Sequence, residues 1–149
     1  MLYYDYKNFQ QDTNKLITQV QEFQPESIVA VARGGLTLAH CMAEGLELRE
    51  LQSLRTELYD KTTKREKFTI CNSCSFDGVS RVLVIDDIAD SGETLQNVMQ
   101  TLQELHPEVI FKSATLFYKK TSCYQPTYWV NEAKEWIEFF WESDFTTQN

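Results

Sequence analysis

Three aspartates, two hydroxyl side chains and a glycine fall within the nine residues Asp86-Asp87-Ile88-Ala89-Asp90-Ser91-Gly92-Glu93-Thr94. They follow Val82-Leu83-Val84-Ile85, an apolar, β-branched run of the kind that forms a buried strand. After them, Leu95, Val98, Met99, Leu102 and Leu105 stand at helical spacing, and Pro107 closes the helix. The turn Asp90–Thr94 can therefore aim backbone N–H groups and two hydroxyls at a phosphate. Asp86 and Asp87 would repel a phosphate. They suit sugar hydroxyls, which donate to carboxylates, or a divalent cation. Phosphate, polyol and Mg²⁺ side by side describe a phosphorylated ribose. The structural alternative is a helix N-cap at Asp90 or Ser91 beside a solvated acidic pair. One carboxylate would be enough for that.

A second candidate loop is Arg33-Gly34-Gly35, at the end of the apolar run Ser27–Ala32. Paired glycines let the backbone approach an anion, and Arg33 supplies a permanent positive charge. Alone, the pattern is equally a tight strand-to-helix turn. Lys119 stands at the end of Leu116-Phe117-Tyr118, and Glu135-Trp136-Ile137-Glu138 lies in an aromatic-rich C-terminal stretch. Tyr59-Asp60 and Arg65-Glu66 bracket a charged, unpatterned segment. Such a segment suits a loop that closes to exclude water, or an ordinary solvated turn.

The elements that must position these residues alternate. A helical stripe over 9–23 ends at Pro25, and a strand over 27–32 runs into Arg33. A helix over 36–43 follows, with Gly45 near its end. Residues 47–58 hold one or two strands and 68–71 another. The strand 81–85, the helix 94–105 and a strand 109–118 complete the pattern, and the remainder reads as irregular. This alternation predicts an α/β fold, a central, mostly parallel sheet flanked by helices. Ligands of such sheets bind beyond the C-terminal strand ends, where both glycine-bearing loops emerge. The length of 149 residues predicts one domain.

Fourteen Lys+Arg against 22 Asp+Glu give a net charge of −8, which argues against a nucleic-acid partner. No apolar run approaches the ~18 residues of a membrane span, and the N-terminus lacks a signal-peptide pattern. The four cysteines then read as reduced thiols of a cytoplasmic protein. Cys71 and Cys74 form a single CxxC, too few ligands for a zinc site. The abundant aromatics predict exposed apolar surface and a homo-oligomer, a dimer or tetramer.

Residues 82–94 resemble the phosphoribosyl-pyrophosphate signature of the type I phosphoribosyltransferases: four apolar residues, two acids, then Asp-(Ser/Thr)-Gly-x-Thr. The resemblance implies that Ser91, Gly92, Glu93 and Thr94 hold the 5′-phosphate and Asp86 the ribose hydroxyls. It implies that Asp87 shares Mg²⁺ with the sugar diphosphate and that Asp90 is the general acid/base. Arg33, Gly34 and Gly35 resemble the family's pyrophosphate loop, with a cis peptide expected at Ala32–Arg33. Arg65 would reach pyrophosphate from the lid. The resemblance implies a core of about 1–118, a lid of about 58–68 and a small C-terminal hood of about 119–149, this last part resembling the hood of the bacterial xanthine-guanine enzymes. There Lys119 would read the 6-oxo group, Trp136 stack on the purine, and the backbone at Ile137 contact the 2-position. Ser91, Glu93, Lys120 and Phe140 depart from the residues most usual at their positions. The implied activity is Mg²⁺-dependent transfer of a 5-phosphoribosyl group from phosphoribosyl pyrophosphate to N9 of a 6-oxopurine. Two alternatives stand beside it. One is a non-catalytic sensor of the same ligands. The other is a phosphorylation receiver, which would need more chain after its acidic pair.

Overall fold

The computed structural model describes residues 1–60 and 66–145. Its strands are β1 (Leu2–Tyr4), β2 (Ser27–Ala32), β3 (Leu51–Asp60), β4 (Glu66–Ile70), β5 (Arg81–Ile85), β6 (Ile88–Ala89), β7 (Ile110–Tyr118), β8 (Tyr128–Glu132) and β9 (Ile137–Phe139). Its helices are α1 (Tyr6–Val20), α2 (Leu36–Gly45), α3 (Glu93–Leu105) and the single turn α4 (Phe140–Ser143). Arg65 and the middle of the expected lid lie outside the described residues. Among the described residues, no helix is long and apolar enough to cross a membrane.

The main sheet runs β4-β3-β2-β5-β7, with β6 and β8 also paired to β7. Every pairing is parallel except β3 with β4. Burial on both faces explains the continuous apolar strands. Ile28, Ala30, Leu83, Ile85, Ala114 and Leu116 pack with α1 and α2. Their neighbours Val29, Val31, Val82 and Val84 pack with α3. Strand alternation thus splits two short apolar runs between two cores.

Two local features depart from the sequence expectation. The first helix starts at Tyr6 because Asp5 caps it, accepting from Asn8 N at 2.8 Å. The C-terminal part is ordered rather than irregular. β9 pairs in parallel with β1, Leu2 opposite Ile137 and Tyr4 opposite Phe139, so the first residues of the chain help build the hood. An aromatic mat supports this small sheet. Phe139 and Trp141 stack at 4.6 Å, and Tyr4 meets Phe117 edge-on at 5.0 Å.

β5 and β6 share one register against β7, Ile85 opposite Ala114 and Ile88 opposite Phe117. β6 therefore continues β5 after an interruption at Asp86-Asp87. That break turns two acidic residues out of a buried strand at the C-terminal edge of the sheet.

Candidate active site

At the break, the Asp87 carbonyl accepts from Leu116 N at 3.0 Å and Phe117 N at 3.2 Å. The two carboxylates are knit to the backbone. Asp87 N donates to Asp86 Oδ1 at 2.8 Å, and Ile88 N donates to Asp87 Oδ1 at 2.7 Å. Asp87 is only 7% exposed. Burial holds the Asp86 carboxyl well above the usual carboxylate range, and the charge of Asp87 adds to this. Burial likewise pushes Asp87 up to about 6; its hydrogen bonds oppose the rise and the charge of Glu142 assists it.

The second glycine loop lies directly on this pair. The Ala32–Arg33 peptide is cis, as the resemblance implied. Gly35 N donates to Val31 O at 2.8 Å, which folds the chain back over β2. A Cβ on Gly34 would sit 2.6 Å from Asp87 Oδ2, and one on Gly35 would collide with the Ile85 carbonyl. Both positions therefore require glycine for close approach, here to the protein's own strand tip rather than to the anion expected from sequence. Arg33 is exposed and, with Gly34, Thr37 and Glu142, lines a cleft of about 630 Å³.

On the other side of the pair, Gly92 has φ +86° and serves as the N-cap of α3. The Ser91 hydroxyl accepts from Glu93 N at 3.2 Å. Asp86, Asp90, Ser91, Gly92 and Thr94 surround a small cleft of about 110 Å³. Glu93 is exposed and does not line it.

A third cavity, of about 350 Å³, extends from Asp87 and Asp90 past Lys119 to Trp136 and Ile137. Lys119 follows the end of β7, and its Nζ lies 3.5 Å from Asp90 Oδ1. Trp136 is 69% exposed, a large apolar surface open to the cavity; Ile137 is buried. Leu2 N donates to Trp136 O at 2.8 Å, so β1 holds the segment in place. The structure thus brings together Arg33, Gly34, Asp86, Asp87, Asp90, Ser91, Gly92, Thr94, Lys119, Trp136 and Ile137 along one edge of the sheet.

Sequence reasoning had no role for Glu142, which lines both the Arg33 cleft and the Lys119 cavity. Its only signal was adjacency to the aromatic run ending at Trp141. Lys134 and Glu135, also on the Lys119 cavity, were passed over in the same way.

A fold of this topology, with a glycine-capped turn and a cis-peptide glycine loop flanking two strand-tip acids, defines a class. The chain belongs to the phosphoribosyltransferase family: the family model "Phosphoribosyl transferase domain" matches residues 3–146. Among solved structures, it is similar to the xanthine-guanine-hypoxanthine phosphoribosyltransferase of Helicobacter pylori. The TM-score is 0.89 at 38% identity, over 96% of this chain and 94% of that one. A purine phosphoribosyltransferase from Pyrococcus horikoshii matches with TM-score 0.84 and 26% identity, over 99% and 97% of the two chains. Among curated proteins, the xanthine-guanine phosphoribosyltransferase of Idiomarina loihiensis is 29% identical over 128 residues, 83% of this chain and 75% of that protein.

Proposed function

We propose that the chain is a cytoplasmic purine-salvage enzyme. It transfers the 5-phosphoribosyl group of phosphoribosyl pyrophosphate to N9 of a 6-oxopurine, guanine, xanthine or hypoxanthine, and releases pyrophosphate. The observation that carries this reading is a row of three clefts along one edge of the sheet, Asp90 lining two of them and Glu142 another two. A phosphate-type turn and a basic glycine loop meet over two buried acids, and a cavity with an ammonium group and an open indole face adjoins them. The names of the relatives support the same substrate class.

In this reading, Ser91, Gly92 and Thr94 take the 5′-phosphate on backbone amides and hydroxyls at the head of α3. Glu93, outside the small cleft they line, orients the Ser91 hydroxyl through its backbone N–H. Arg33 and the Gly34 amide hold pyrophosphate, with Arg65 as a further contact; Gly35, its own N–H spent on Val31 O, shapes the loop that presents them. Asp86 accepts from the ribose hydroxyls. Lys119 donates to the 6-oxo oxygen and would repel the 6-amino donor of adenine. Trp136 stacks on the purine, and the backbone at Ile137 faces its 2-position. Asp90 takes the proton released from the purine ring.

The residues fit Mg²⁺. Among the described residues, no three His, Cys, Asp or Glu side chains gather into an all-protein cage. Asp87 instead offers a buried hard-oxygen ligand with a raised pKa beside a polyanion loop, and Mg²⁺ is usually held by one or two carboxylates plus substrate phosphates. Bound there, the ion would neutralise the diphosphate charge that builds as the glycosidic bond breaks. The exposed apolar side chains Tyr3, Tyr6, Leu36 and Phe145 support a homo-oligomer.

The test is a spectrophotometric assay with guanine, xanthine, hypoxanthine and adenine, each with phosphoribosyl pyrophosphate and Mg²⁺. Turnover with one or more oxopurines is expected. Activity with adenine alone would sink the Lys119 assignment, and no activity with any base would favour a ligand sensor on the same fold.

A further inference from the structure

The geometry points to the turn Lys119–Tyr124 as a clamp that aims the Ser91–Gly92 peptide at the 5′-phosphate, with Ser122 and the Cys123 backbone as its positioning groups. The inference rests on the phosphate reading of the Asp90–Thr94 turn and adds a second segment of chain to it.

The clamp holds the chain entering the phosphate turn at two points. Lys119 N donates to Ala89 O at 3.1 Å, and Cys123 N donates to Ser91 O at 2.8 Å. Between these points the clamp is closed on itself. Ser122 N donates to Lys119 O at 2.8 Å. The Ser122 hydroxyl donates to Tyr124 O at 2.8 Å and accepts from Tyr124 N at 3.3 Å. Tyr124 OH and Ser113 Oγ, 2.8 Å apart, fasten its far end to β7. A Cβ on Gly92 would collide with Ser122 Oγ and lie 2.7 Å from Tyr124 N. Gly92 is thus needed for its positive φ and also because the clamp presses on its Cα.

The consequence is directional. In a trans peptide the C=O and the following N–H point opposite ways. Fixing the Ser91 carbonyl on Cys123 N therefore turns the Gly92 N–H away from the clamp. The small cleft between Asp86 and Thr94 is lined by Ser91 and Gly92 but by no residue of 119–124. A peptide free to rotate would present its carbonyl to the phosphate in part of its conformations and repel it. Lys119, the first residue of the clamp, is also the base-reading ammonium. Base and phosphate recognition therefore hang on one six-residue turn.

The test compares binding of guanosine 5′-monophosphate and guanosine by calorimetry, alongside thermal melting. The ratio of the two affinities isolates the phosphate. Cys123→Pro deletes the clamping N–H, whereas Cys123→Ala keeps it. Losing a fixed charge-assisted donor should cut the ratio about tenfold to a hundredfold in Cys123→Pro. Guanosine affinity should fall by less than that of the nucleotide, and Cys123→Ala should keep the ratio. Ser122→Ala, which loosens the turn without touching the backbone donor, should cut it about fivefold. It also decides the question if Cys123→Pro does not fold. Folded variants that discriminate as well as the wild type would overturn the clamp. A wild-type protein that binds nucleotide no better than nucleoside would instead overturn the phosphate reading itself.

Discussion

At the tips of β2 and β5, the atoms offered to a ligand are backbone amides and buried carboxylates. In the hood they are exposed side chains, Trp136 and Lys119, laid over an aromatic mat. The strand-tip side is rigid by exclusion. Gly34 and Gly35 leave no room for a side chain, and Asp87 has its backbone and carboxylate hydrogen-bonded. The hood side is shaped by packing between strands of three residues each. Substitutions at the strand tips should therefore disturb chemistry and the fold's own electrostatics. Substitutions in the hood should disturb which base is bound, at little cost to the fold.

The largest expected effect is at Asp90. Asp90→Asn should lower kcat by ~10²–10⁴ if this carboxylate manages the purine proton. A rate within twofold of wild type would remove it from that role.

Next comes the pH dependence of stability. Asp87 titrates near 3.8 when unfolded and near 6 when folded. The folded state thus holds this proton more tightly. The corresponding stability is full below about pH 4 and is lost as pH rises through 6. Asp87→Asn should leave stability near pH 4 unchanged in the metal-free protein. At pH 8 it should raise stability relative to wild type, read as a Tm difference that grows with pH. A Tm difference that does not vary with pH would show that burial is not stressing this acid.

Trp136→Ala tests the hood. Base stacking on an aromatic ring is worth about 1–3 kcal/mol, so KM for the purine should rise about tenfold, with Tm nearly unchanged because the indole is exposed. A fall of many degrees would show that Trp136 supports the hood instead of lining it, and would blur the contrast between the two sides. The smallest effect on the fold is expected at Lys119→Met. Its ion pair with Asp90 is exposed at both partners and worth about 0–1 kcal/mol. The assay should show loss of preference for 6-oxo over 6-amino purines. Unaltered base preference would break the assignment.

The same division decided what could be read from the sequence. The strand Arg81–Ile85, the acids, the turn and α3 are contiguous, and each carries its own local signal, so this region was legible almost residue by residue. That the turns at 34, 35 and 92 call for glycine was legible too, though not the Asp87, Ile85 and Ser122 atoms that crowd them. β1 and β9 were not legible. Three residues cannot establish a period of two, and their pairing joins positions 2–4 to 137–139. β6 was hidden inside the signature motif, because two residues after a break carry no strand pattern. Glu142 was missed because its importance lies in facing Asp87 across the cleft, which no linear spacing encodes.

The pairing of Leu2–Tyr4 with Ile137–Phe139 has a consequence for the order in which the protein comes apart. It closes a loop through nearly the whole chain, whereas the Ser91 and Cys123 contact closes a short one. Entropy makes the long closure dearer by about 1 kcal/mol, and only three paired residues on each side carry its backbone bonds. The small sheet is thus the part of the molecule expected to breathe first. Its amides should exchange with deuterated water ahead of those in β2 and β5. The cavity beside Lys119 and Trp136 would then open from the end of β1 while the Asp90–Thr94 turn stays shut.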